Sequence, residues 1–282
     1  MLDLNFKYKD TINFLQKEAP FHPQISILLG SGLGHFADSA DKIKTVSTSK
    51  IPGYPESTVK GHSGLVHFSK IENKNVLIFQ GRLHFYEGYK LSDCLLPVLL
   101  SKKLGCEKII LTNAAGGINR NFIPGDLMLI ASFNSINLKK ELSEFLGVAP
   151  LEVKNHFLDC PSEKMNEIFS ASAIKIGVNL KSGTYFYTKG PTYETPSEIE
   201  LLKRFGADAV GMSTVHEAIF ATYLNMEVAA VSCITNMAAG ILKQKLSHDE
   251  VTETGLKAAK KFSFLIKSAI SRMEVKTITS VN

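Results

Sequence analysis

Three polar side chains at alternate positions, Arg82, His84 and Tyr86, stand in the run Gly81-Arg82-Leu83-His84-Phe85-Tyr86-Glu87-Gly88-Tyr89. In extended backbone, residues two apart face the same side. A guanidinium fork matches two oxygens of a phosphate or carboxylate. An imidazole adds a donor whose charge is tunable near neutrality. A second candidate anion site is Gly30-Ser31-Gly32-Leu33-Gly34, where glycines let backbone N–H groups converge and Ser31 adds a hydroxyl. It is not a dinucleotide fingerprint, because His35 stands where the last glycine is required. It is not a P-loop, because no Gly-Lys-Ser/Thr follows. Alone, the segment reads equally as a tight turn or an anion cradle.

Four other places carry polar groups beside small residues. Thr112-Asn113-Ala114-Ala115-Gly116-Gly117 lets backbone N–H groups approach a ligand closely, or is a plain loop. Val210-Gly211-Met212-Ser213-Thr214 looks like a nucleophile elbow, but Val215 breaks the G-x-S-x-G pattern, so Ser213 reads as a hydrogen-bond donor. Glu194 lies in the loop Lys189–Pro196, where a carboxylate is solvated by default. Thr235 and Asn236 end an apolar run, where an amide is placed to read a polar ligand edge or simply to make a turn. His248, near a helix start, reads as exposed.

These groups need elements to hold them. Short apolar runs predict strands at Ile25–Leu29, Leu65–Ile71, Val76–Gln80, Lys108–Thr112, Asp126–Ala131, Gly183–Thr188, Ala209–Met212 and Val228–Thr235. Helical spacing predicts Leu91–Leu104 with Pro97 in its first turn or at a kink, then Glu163–Ile176, Pro196–Phe205 and Val215–Asn225. A last long helix is predicted from Ser247, an N-cap with Glu250 three residues on. The alternation predicts one α/β domain over residues 1–282, with a mostly parallel or mixed twisted sheet flanked by helices. Its core spans about 20–272, with a frayed tail from about 275. The polar segments fall after strands, where α/β sheets bind ligands.

Bulk properties exclude several classes. The 282 residues are 44% hydrophobic and 21% charged, an ordinary globular balance. The net charge of +5 comes from scattered Lys and Arg, whose runs are pairs such as Lys102-Lys103, so no nucleic-acid stripe is present. Four cysteines without C-x-x-C spacing indicate neither a zinc site nor a redox motif. No apolar run is long enough to cross a membrane, and the N-terminus lacks a signal-peptide core, so a cytoplasmic chain is expected.

Taken together and in order, Gly30–Gly34, Gly61–Gly64, Gly81–Tyr89, Thr112–Asn119, Pro124–Asp126, Gly190–Thr195, Gly206–Glu217 and Ile234–Asn236 resemble the trimeric, 6-oxopurine-specific type of purine nucleoside phosphorylase over roughly residues 20–260. Each motif is weak alone; the ordered set is specific. The resemblance implies a phosphorylase/hydrolase-like fold. It implies phosphate among Ser31, Arg82, His84, the Ala114 N–H and Ser213, with His62 in support. It places the sugar against Tyr86, Met212 and His248, and the base against Tyr193, Glu194, Thr235 and Asn236. It assigns catalytic roles to Asn236, His84 and Glu194. It implies no metal and no organic cofactor, inorganic phosphate as co-substrate, and a homotrimer. The stretch Ser132–Cys160 departs from the family pattern. It carries Ser-Phe-Asn-Ser before Ile136-Asn137-Leu138 and a Lys/Glu-rich segment after it, with Phe157 the candidate aromatic for a neighbouring subunit.

The implied reaction is phosphorolysis of inosine, guanosine and their 2′-deoxy forms to free base and (deoxy)ribose 1-phosphate, a step of purine salvage. Two other readings stand beside it. A methylthioadenosine phosphorylase on the same fold typically has Asp where this chain has Asn236, and Thr where it has Ser213. A non-catalytic nucleoside binder would not need Ser31, Arg82, His84 and Ser213 together.

Overall fold

The computed structural model describes residues 4–59, 63–147, 150–242 and 248–275, with the side chains of 248–252 outside that description. Among the described residues one mixed sheet runs through the molecule. Its strands are β1 (Ile25–Leu29), β2 (Asp41–Ser47), β3 (Leu65–Ile71), β4 (Lys74–Gln80), β5 (Lys108–Gly117), β6 (Leu127–Asn134), β7 (Leu180–Tyr187), β8 (Ala209–Gly211) and β9 (Glu227–Met237). The order is β2-β3-β4-β1-β5-β8-β7-β6-β9, and β5 also pairs with β9. Strands β5, β8, β7, β6 and β9 therefore bond in a closed ring. This is the expected α/β architecture, with closure added at one end.

The short apolar runs are buried because both faces of the sheet are covered. Along β1, Ile25, Ile27 and Leu29 face the helices Glu163–Ile176 and His248–Arg272. Leu28, from the alternate position, joins the opposite cluster with Leu77, Ile109 and Leu111, under Leu96–Lys103 and Val215–Tyr223. Full burial of one such side chain contributes about 1.5–3 kcal/mol. Leu4, Tyr8, Ile12 and Leu15, from helices Leu4–Lys7 and Lys9–Glu18 and the turn between them, join this second cluster. The core thus reaches further toward the N-terminus than residue 20, because an amphipathic helix closes the open face of the sheet.

Several boundaries differ from expectation. The predicted Leu91–Leu104 helix is broken into Leu91–Cys94 and Leu96–Lys103, with Pro97 in the first turn of the second. Proline has no N–H to give and its ring crowds the preceding turn. Strand β2 is absent from the sequence reading because its residues, DKIKTVS, are mostly exposed on the sheet edge. Strands β5 and β9 run on through Gly117 and Met237, since closing the ring gives their glycine- and asparagine-bearing ends partners to bond. The small-residue segments read as loops are strand tails. The four cysteines are free thiols. The proposed N-cap Ser247 and the tail beyond 275 lie outside the described residues.

Candidate active site

The anion-directed residues converge from three strands. Arg82 follows β4 and is 2% exposed. Its Nη1 donates to Ser213 Oγ at 2.9 Å and to Thr214 Oγ1 at 3.2 Å. Its Nη2 donates to the Leu28 carbonyl of β1 at 3.5 Å and lies 3.3 Å from Glu217 Oε2. Glu217 is fully buried. Burial raises its carboxyl above the ordinary range, and the Arg82 charge draws it partly back. A buried ion pair that loses one partner costs about 3–5 kcal/mol, because the other charge is stranded. The fork is thus held on both sides before any ligand arrives.

Ser213 and Thr214 sit on a sharp turn between β8 and the helix Val215–Tyr223. Thr214 has φ +75° and ψ −48°, and Val215 N–H bonds the Ser213 carbonyl at 2.8 Å. This is a γ-turn with positive φ, a strained shape for a β-branched residue. It persists because Thr214 Oγ1 is fixed from two directions, by Arg82 and by Asn113 Nδ2 at 2.9 Å. Gly30 lies against β5: a Cβ there would come within 2.6 Å of the Thr112 carbonyl, so only glycine lets β1 and β5 approach so closely at the start of the Ser31 loop.

His84 is held from behind. Its Nδ1 lies 3.2 Å from Glu87 Oε1, and its backbone N–H donates to the same oxygen at 2.7 Å. Glu87 Oε2 accepts from Thr58 N–H at 2.5 Å and Thr58 Oγ1 at 2.8 Å. Burial pushes the Glu87 carboxyl up, but the bonds from His84 and Thr58 win and bring it down to about 2. A carboxylate with a depressed value stabilises the fold fully above its unfolded value of 4.5 and loses that contribution as pH falls toward about 2. Wild-type protein is therefore expected to melt above Glu87→Gln by a margin that shrinks as pH falls below the unfolded carboxyl value of 4.5. A margin that holds constant below about pH 4 in thermal melts would contradict this assignment.

Beyond His84 the chain leaves the extended path. Phe85–Glu87 is a 3₁₀ turn, and it brings the Tyr86 ring onto His84, stacked at 4.7 Å between centroids. The alternate spacing assumed extended backbone; a turn rather than a strand delivers Tyr86 to His84. Tyr86 lines a cleft together with Ser31, Ala114, Tyr193, Glu194, Met212, Thr235 and Asn236. Arg82, His84 and Ser213 do not line the cleft; they are buried beside Tyr86 and Met212. Gly190 has φ +67°, and a Cβ would come within 2.5 Å of Met212 Sδ, so glycine is needed where the 189–195 loop crosses the cleft.

Two polar side chains on the cleft are already oriented. Asn236 Oδ1 accepts from Thr235 Oγ1 at 3.0 Å, while Nδ2 donates to the Met237 carbonyl at 3.2 Å. One amide proton is left for the cleft. Glu194 Oε1 accepts from Thr188 Oγ1 at 2.5 Å. The loop ends in a capping box: Thr195 Oγ1 accepts from Glu198 N–H at 3.3 Å, and Thr195 N–H donates to Glu198 Oε2 at 2.7 Å.

The arrangement sets the buried Arg82–Ser213 pair beside a cleft whose Glu194 and Asn236 side chains could hydrogen-bond a flat heteroaromatic ring. The family model described as the phosphorylase superfamily matches residues 24–271. The chain belongs to the phosphorylase superfamily. It is 42% identical to purine nucleoside phosphorylase 1 of Geobacillus stearothermophilus, over 92% of this chain and 95% of that one. The Schistosoma mansoni purine nucleoside phosphorylase, solved in complex with inosine, superposes with a TM-score of 0.85 at 30% identity, covering 96% of this chain and 98% of that chain. The same protein solved with adenosine superposes with a TM-score of 0.85 at 31% identity, with the same coverage.

Within this phosphorylase-superfamily chain, the residues expected from sequence fall in one place: Ser31, Tyr86, Ala114, Tyr193, Glu194, Met212, Thr235 and Asn236 on the cleft, and Arg82, His84 and Ser213 beside it. His62 and the side chain of His248 lie outside the described residues. Glu87, Thr188, Thr214 and Glu217 escaped the sequence reading. Glu87 sits three residues after His84 and was open to a capping argument; the other three declare themselves only through contacts across the fold. The divergent stretch is helical at Lys139–Leu146 and Leu151–His156. It braces the site from outside, with Asn137 Nδ2 donating to the Tyr187 carbonyl at 3.0 Å and Glu141 Oε1 accepting from Lys189 Nζ at 2.6 Å. Phe157 packs half-buried on its own subunit's core. Among the described residues no helix is long and apolar enough to cross a membrane, and no group of His, Cys, Asp and Glu forms a metal cage.

Proposed function

We propose that the chain catalyses phosphorolysis of 6-oxopurine nucleosides, inosine and guanosine and their 2′-deoxy forms, giving free base and pentose 1-phosphate. The observation that carries this reading is a cleft that holds Ser31, Glu194 and Asn236, with the buried Arg82–Ser213 pair beside its Met212 wall. Orthophosphate sits among Ser31, Arg82, His84, the Ala114 N–H and Ser213, with His62 alongside. The sugar lies against Tyr86, Met212 and His248, and Tyr193 packs on the base. Breaking the glycosidic bond puts positive charge on the sugar and negative charge on the base. Glycosidases meet the first with carboxylates; here bound phosphate is both nucleophile and counter-charge. The protein's part is to align the two reactants and to stabilise the leaving purine. The resemblance also supports a cytoplasmic homotrimer needing no cofactor; light scattering that finds an active monomer would overturn the assembly.

The test is phosphate dependence of hypoxanthine release from inosine. Release is expected only with phosphate, together with ribose 1-phosphate; equal release in phosphate-free buffer refutes phosphorolysis. Arg82→Lys serves better than Arg82→Ala, which strands the buried Glu217 carboxylate. The lysine keeps the charge and loses the fork, and is expected to raise the phosphate KM about 10–100-fold. An unchanged phosphate KM removes Arg82 from the site.

A further inference from the structure

We infer that Thr188 is a specificity-determining positioning residue: its hydroxyl holds Glu194 as an acceptor toward the cleft and so favours 6-oxopurines over 6-aminopurines. The inference rests on the reading of Glu194 as a base contact given above. Glu194 is carried by a loop whose neighbouring residues 191–193 and 195 are exposed, so its rotamer needs outside support. The support comes from a rigid point. Thr188 directly follows β7, and its backbone N–H donates to the Gly211 carbonyl of β8 at 2.9 Å. From there Thr188 Oγ1 reaches Glu194 Oε1 at 2.5 Å. The other end of the loop is pinned by the Thr195–Glu198 capping box. Glu194 is thus suspended between two fixed ends.

The chemistry follows from proton counting. A threonine hydroxyl has one proton, and an ionised carboxylate has only lone pairs to offer. With the Thr188 proton given to Oε1, the carboxylate presents acceptor sites to the cleft. The N1–H of hypoxanthine and guanine meets an acceptor. Adenine N1 is itself a lone pair and meets repulsion. A valine at 188 keeps the volume and the β-branch but removes the proton, so the carboxylate is free to swing out of register.

The experiment compares wild type, Thr188→Val, Thr188→Ser and Glu194→Ala for inosine kcat/KM and for the inhibition constant of adenosine competing with inosine. For Thr188→Val, inosine kcat/KM is expected to fall about 10-fold, the loss of one hydrogen bond to a charged group. The adenosine constant should stay within about twofold. Thr188→Ser, which restores a hydroxyl, should return inosine kcat/KM toward wild type. A structural disturbance moves both nucleosides alike, and that result overturns the inference. So does wild-type inosine kinetics in Thr188→Val when Glu194→Ala is impaired. If Glu194→Ala itself behaves as wild type, the base-pocket reading fails first and the inference falls with it.

Discussion

Inosine is expected to be cleaved about 10⁴-fold more efficiently than adenosine, compared as kcat/KM at saturating phosphate. Two preset groups produce the gap. Glu194 is held as an acceptor by Thr188. Asn236 has its carbonyl oxygen engaged by Thr235, which leaves an amide proton as the group the cleft meets. Hypoxanthine complements both, giving N1–H to the carboxylate and offering O6 or N7 to the amide. Adenine reverses both, with a lone pair at N1 and a donor at position 6. Turning the amide over would set its carbonyl oxygen against the Met237 carbonyl, so the site does not adapt without loss. Sites that leave buried polar groups unpaired reject an analogue far more strongly than sites that merely lose packing. The Schistosoma mansoni relative has been solved with adenosine, and occupancy of a cleft is separate from turnover in it. Steady-state kinetics on both nucleosides decide the point: comparable kcat/KM values would remove Glu194 and Asn236 as readers of the 6-position.

Asn236→Ala is expected to lower turnover of inosine by about 10²–10³-fold, the usual loss of one preorganised donor at a site of developing charge. As the glycosidic bond lengthens, electron density moves onto the purine, and a donor at N7 or O6 strengthens with it. A contact that matters more in the transition state than in the ground state appears in kcat. The geometry favours that outcome because the amide need not reorganise: Thr235 and the Met237 carbonyl fix its plane, and β9 fixes its backbone beside Gly116 of β5. Single-turnover rates on inosine give the reading without interference from product release. A kcat within about threefold of wild type would show that leaving-group stabilisation lies elsewhere.

The sequence by itself determined much of the frame. Near-continuous apolar runs such as ISILL and KIILT mark strands covered on both faces, because burial on both sides favours apolar residues at successive positions. The Pro196 and Val215 helix starts placed Glu194 and Ser213 just ahead of helices. Polar edge strand β2 was invisible because exposed strands lack the hydrophobic signature. Only the tertiary structure decided how these pieces act together. Ring closure through β5 and β9 turned presumed loops into strand tails that bring Ala114 and Asn236 onto one cleft. Pairings such as Arg82 with Glu217 and Ser213, or His84 with Thr58 through Glu87, join residues far apart in the chain or shielded by a turn. A local pattern encodes which face a side chain takes; which charge it meets depends on strand order, and strand order is set by the cooperative burial of the whole sheet.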